Sequence, residues 1–166
     1  MTEFLRRLWP EPHAPAAGDS VPLTSTTAAG LDVHAAIARH RRLRQRLLAC
    51  SNGYCDPQLN AEDLCFDHHC LLGQWLHGPG KARLGQHRGF VDLLEQHRMF
   101  HISASNVVSL ARSRRQEQAQ QMAERQMEAF SNGVLKRLHA MQAWVDRRNQ
   151  RRQALVSQAR APLAKR

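Results

Sequence analysis

The chain has 166 residues, enough for one domain with a hydrophobic core of its own plus flanking segments, without reliance on a disulfide framework. Apolar residues make up 42% and aromatics only 5%; Ala and Leu predominate with strong helix formers between them, which favours an all-α protein. The net charge of +10 permits an acidic partner such as nucleic acid or anionic lipid, but charge speaks to association and not to fold.

Nothing in the sequence approaches about 18 consecutive apolar residues, so no transmembrane segment is predicted. Pro10 and Pro12 interrupt the N-terminus before a signal-peptide core can form, and a cytoplasmic protein is expected. In a reducing compartment its four cysteines are expected as free thiols or metal ligands.

Residues 1–30 read as a disordered N-terminal tail. Phe4, Leu5, Leu8 and Trp9 are spaced to form one apolar helical face beside Arg6 and Arg7, and a Pro/Ala/Ser/Thr-rich run without periodicity follows. A first helix is predicted from about Asp32, a plausible N-cap, to about Ala49. Val33, Ala36, Ile37, His40, Leu43, Leu47 and Leu48 fall on one stripe, so His40 points inward. His34 lies about 120° round the same helix. A buried histidine bonded to a neighbour would also account for His40.

Ser51 to Asp67 carries turn signals at Asn52-Gly53, Asp56-Pro57 and Asn60 and reads as a connection. Cys50, Cys55, Cys65 and Cys70 lack the C-x2-C spacing of a zinc ribbon, so the first three read as ordinary thiols. Asp67 is predicted to cap a short helix reaching about His77, with Cys70 in its first turn, where the partial positive charge favours thiolate. Gly78-Pro79-Gly80 ends it. Gly73 and Trp75 read as site support, one leaving room for a neighbouring helix to approach and the other supplying packing surface.

A further helix from about Arg88 past Val108 places Phe90, Leu93, Leu94, His97, His101, Ala104, Val108 and Ala111 on or beside an inward face. His97 and His101 project from one side a turn apart and can reach a single cation, with Cys70 as a third ligand. The Glu of the H-E-x-x-H protease motif is missing after His97. From about Gln116 the chain is again helical through Met122, Met127, Phe130, Val134, Leu135, Leu138, Met141, Trp144 and Val145, with Ser131-Asn132-Gly133 as a possible kink. After Val145 come seven Lys/Arg against one Asp, read as a solvated basic tail over 150–166.

The stretch Cys70 to Leu76, followed by His77-Gly78-Pro79-Gly80, resembles the Cys-x-x-Gly-x-Trp-Leu/Tyr core of the bacterial chemoreceptor zinc-binding domain family. His97-x-x-Phe100-His101 is similar to that family's paired histidines, with Phe90-x-x-Leu93 ahead of them. Ala36 to Arg44 is similar to its first-helix motif, with Leu43 and Arg44 in place of Trp and Lys. The resemblance runs from about Leu31 to Met141. It implies one Zn²⁺ held by His40, Cys70, His97 and His101.

The expected architecture is therefore an all-α helical bundle over 31–149, with three long helices, one short Cys-bearing helix and disordered termini. Four protein ligands leave no open coordination position, so no enzyme and no catalytic residue is expected. The resemblance implies a sensory or regulatory domain coupling zinc occupancy or cysteine oxidation to a partner of the chemoreceptor or diguanylate cyclase class, or to a homodimer. The alternative is a basic nucleic-acid-binding protein with a structural zinc, using Arg39, Arg41, Arg42, Arg44 and the tail.

Overall fold

Three long helices dominate the described residues, each where apolar side chains recur at three-and-four spacing. The structure, a computed structural model, describes residues 27, 28 and 30–160. The amphipathic start at Phe4–Trp9, the run up to residue 26, residues 161–166 and the side chain of Val145 lie outside them. No helix of the described residues is long and apolar enough to cross a membrane.

A small ribbon comes first: β1 (Thr27–Ala28) pairs antiparallel with β2 (Leu31–Asp32), where a disordered segment was expected to end. Helix α1 (Val33–Ser51) begins as the sequence predicts, because the Asp32 carboxylate accepts from the Ala35 N–H at 3.0 Å. Its buried face holds Val33, Ala36, Ile37, His40, Leu43 and Leu47. Burying each Val or Leu contributes roughly 1.5–3 kcal/mol. His34 is exposed and its Nε2 contacts Gln142 at 2.8 Å.

The connection after α1 corrects two expectations. Gly53, at φ +94°, turns the chain back so that Cys55 meets the last turn of α1, and Cys50 and Cys55 form a disulfide where thiols were expected. Their closeness comes from the turn, which their spacing alone does not reveal. Helix α2 (Ala61–Cys65), capped by Asn60, then interrupts what reads as an irregular connection.

The Cys-bearing helix also starts later than predicted. Asp67–His69 form a 3₁₀ turn, and α3 (Leu71–His77) follows with Cys70 itself at the N-cap. The chain resumes at once as α4 (Pro79–Leu84), because Pro at a first helical position needs no N–H partner.

Helix α5 (Arg88–Arg112) is the central element, burying Phe90, Leu93, His97, Phe100, His101, Ala104, Val107 and Val108. Next come α6 (Gln116–Met122), a five-residue π-helical stretch (Ala123–Met127) and α7 (Glu128–Arg160). Ser131-Asn132-Gly133 does not break α7. Ser131 and Val134 are fully buried there and Gln96 of α5 packs against Gly133, so interhelical packing outweighs the glycine's helix cost of about 1 kcal/mol.

The core runs between α1, α5 and α7, with Leu47, Phe100, Val107, Val134 and Leu138 wholly inside. Trp144, expected on the core stripe, is 44% exposed. Beyond it the basic segment continues as helix to Arg160, and every residue of Gln150–Ser157 is exposed, so the expected solvated tail is helical as far as it is described.

Candidate metal centre

Cys70 reaches the centre because the 3₁₀ turn folds tightly against α3. Its Sγ accepts from the Gly73 N–H at 3.3 Å and lies 3.2 Å from His97 Nε2. The approach requires Gly73, since a Cβ there would press into the main-chain carbonyl of Asp67. The sequence suggests a neighbouring helix as what approaches Gly73; the close neighbour is instead the main chain of the preceding turn. Trp75, 4% exposed, supports α3 by packing its ring edge-on to Phe90 of α5 at 5.6 Å.

His97 and His101 project together from α5, their ring centroids 4.6 Å apart. One ligand atom each from Cys70, His97 and His101 lies within 4.8 Å of the others. Tetrahedral zinc with bonds of about 2.0–2.3 Å spaces its ligand atoms roughly 3.3–3.7 Å apart, so small side-chain adjustments suffice. One soft sulfur and two imidazole nitrogens suit zinc better than calcium or magnesium, which take oxygen ligands.

Two outer contacts orient these histidines. His101 Nδ1 donates to the Leu64 carbonyl of α2 at 2.8 Å, which leaves Nε2 as the lone-pair nitrogen. Asp67 places Oδ2 3.8 Å from His97 Nδ1, an ionic separation rather than a hydrogen bond, and that nitrogen is buried without a hydrogen-bond partner. The same carboxylate oxygen lies 2.9 Å from His77 Nε2. Sequence reading assigned Asp67 only a capping role. Its aspartate-to-histidine pairing depends on the 3₁₀ turn and has no local signature.

His40 is brought near but not into the three-residue cluster. It is 6% exposed, its ring lies 4.4 Å from Phe100, and its Nε2 is 3.0 Å from Ser131 Oγ on α7. It shares one cavity with Cys70, His97 and His101.

Charge within the centre is strongly polarised. Burial pushes the Cys70 thiol up, but neighbouring His97 and His101 outweigh it and hold the thiol well below its ordinary value. For His97 burial favours the neutral ring, yet the Cys70 thiolate and then Asp67 raise its pKa to about 9. His97, followed by His77, keeps the Asp67 carboxyl well below the usual range despite partial burial. His40 goes the other way: burial first, then His97 and His101, lowers its pKa from 6.5 to about 3.

These shifts give acid sensitivity a sign. Between about pH 6.5 and 3 His40 stays neutral in the folded chain while an unfolded imidazole takes up a proton. The unfolded state then binds more protons, so stability falls as pH falls through that interval. The lowered Cys70 thiol acts in the same direction, whereas His97, raised to about 9, opposes it only between about pH 6.5 and 9. Chelator-treated protein should lose melting temperature from pH 7 to pH 4.5. His40→Gln should reduce the slope by up to about one proton's worth, and equal slopes in calorimetry would contradict the assignment.

The class this defines is an α-helical bundle with a Cys/His/His cluster whose geometry could hold a metal ion. Residues 40–108 match the family model of the chemoreceptor zinc-binding domain, a stretch that includes His40, Cys70, His97 and His101. No curated protein and no solved structure matches the chain.

Proposed function

We propose that the protein is a zinc-binding sensory or regulatory module in which His40, Cys70, His97 and His101 hold one Zn²⁺, and that occupancy of the centre or oxidation of Cys70 is passed to a signalling partner. The convergence of Cys70, His97 and His101 within the family-matched stretch carries this reading. When bound, the ion would supply positive charge to the thiolate and cross-link α1, α3 and α5. His40 completes a four-ligand set by moving toward the cluster across their common cavity. A closed set supports sensing over hydrolysis, which needs a ligand position for water.

The sulfur is the reactive member. Its thiolate attacks one oxygen of a peroxide, an S–O bond forms as the O–O bond breaks, and hydroxide leaves; sulfur loses two electrons and the peroxide gains them. The resulting sulfenic acid is a poor zinc ligand, and α3 loses its tie to α5. The partner class proposed is a chemoreceptor, after the description of the matching family model, or a diguanylate cyclase.

Mild peroxide should release zinc and speed amide exchange first over 67–76, while Cys70→Ser abolishes the oxidant response. Cys65 is the informative competitor, being exposed and unpaired by disulfide. Oxidation mapped to Cys65, with Cys70 reduced and zinc retained, would sink the redox reading while leaving zinc binding intact. Capture from the native host with and without chelator tests the partner, and nucleic acid in the eluate would favour the basic-binder alternative.

A further inference from the structure

Each histidine near the centre has an outer partner on a different element: His101 the Leu64 carbonyl on α2, His97 the Asp67 carboxylate on the 3₁₀ turn, and His40 the Ser131 hydroxyl on α7. The third is unlike the others in reach. Residue 131 lies outside the family-matched stretch, which ends at residue 108, and the contact joins residues 91 positions apart. Ser131 is 0% exposed, so this bond is shielded from water.

Metal-bound histidines present one ring nitrogen to the ion and use the other to donate to an outer partner. His40 Nε2 is already engaged at 3.0 Å, which leaves Nδ1 for ligation. A helical serine commonly turns its own O–H toward a carbonyl of the preceding turn, freeing a lone pair to accept from such an N–H. We propose that Ser131 is a positioning residue for the metal centre: it holds His40 in the tautomer that ligates through Nδ1 and so makes α7 the element that registers occupancy. This rests on His40 being a ligand. Among the described side-chain hydrogen bonds of the four proposed ligands, the one from His40 to Ser131 is the one that reaches α7, so it ties the ligand on α1 directly to that helix.

The test uses the full chain, stripped with chelator and reloaded with Zn²⁺ alone. Ser131→Ala should weaken zinc binding roughly 10–100-fold, and Ser131→Thr, which keeps the hydroxyl, should recover it. Nitrogen-15 histidine spectra of the loaded wild type should show His40 protonated at Nε2 and metal-bound at Nδ1. Zinc should slow amide exchange over 128–138 in wild type but not in Ser131→Ala. The inference is overturned if Ser131→Ala binds zinc and protects α7 like wild type, or if His40 ligates through Nε2. Should the buried threonine methyl prevent recovery, the histidine spectrum of Ser131→Ala decides: an unchanged tautomer overturns the proposal. Wild type that takes up no zinc would overturn the metal reading and this inference together, whereas zinc uptake indifferent to Ser131 would overturn this inference alone.

Discussion

Protein in which His97 and His101 are both alanine should lose most of an otherwise stoichiometric zinc, because two of the three converging ligand atoms are removed. Apparent zinc-binding energies of roughly 10–16 kcal/mol in small four-ligand domains imply about 2.5–4 kcal/mol per ligand. Removing two should therefore weaken binding by roughly four orders of magnitude or more. His40→Ala should cost one ligand's share, while His34→Ala should leave affinity nearly unchanged, since His34 is exposed and engaged with Gln142. A competition titration against a strong chelator measures all three. Stoichiometric zinc surviving in the double variant would refute the site, and a larger loss from His34→Ala than from His40→Ala would refute the ligand choice on α1.

Gly73→Ala should also be strongly damaging, although it removes no ligand. The added Cβ would overlap the Asp67 carbonyl, a main-chain atom that cannot swing aside, so either the 3₁₀ turn or α3 must move. Overpacking commonly costs about 1–3 kcal/mol, and a main-chain collision belongs at or above the top of that range. Moving the turn shifts Asp67 away from His97, and moving α3 shifts Cys70, so zinc affinity should fall with stability. Gln74→Ala, at the exposed neighbouring position, should stay within about 0.5 kcal/mol. Denaturant unfolding with and without zinc checks both. Wild-type stability in Gly73→Ala would mean that the turn packs less tightly against α3 than described.

Which parts of this architecture could be read in advance follows from the range of the interactions involved. The faces of α1 and α5 were legible because helical periodicity is local, and the same periodicity separated His40 from His34. Cys70 was legible as a site residue but not as a cap: cysteine is an uncommon N-cap, and Asp67 offered a more familiar one. The roles of Leu64, Asp67 and Ser131 were hidden for a different reason. A backbone carbonyl has no residue signature, a single aspartate resembles a turn residue, and a serine beside Asn132-Gly133 resembles a helix break. The Cys50–Cys55 pairing depends on a left-handed glycine turn, and the uninterrupted α7 on packing around Gly133, neither of which follows from spacing.

Helix α7 spans 33 residues, about 50 Å at 1.5 Å per residue, and Ser131 lies near its start. From Ser131 to Arg160 is a rod of roughly 43 Å, and its exposed outer part has no core packing to absorb a tilt. A rotation of only about 5° around Ser131 would sweep the far end through about 4 Å, nearly the pitch of a helical turn. The long helix is in this sense a pointer with its pivot beside the proposed metal centre: a displacement too small to disturb the bundle would be magnified along its exposed outer turns, which carry Arg151 and Arg152.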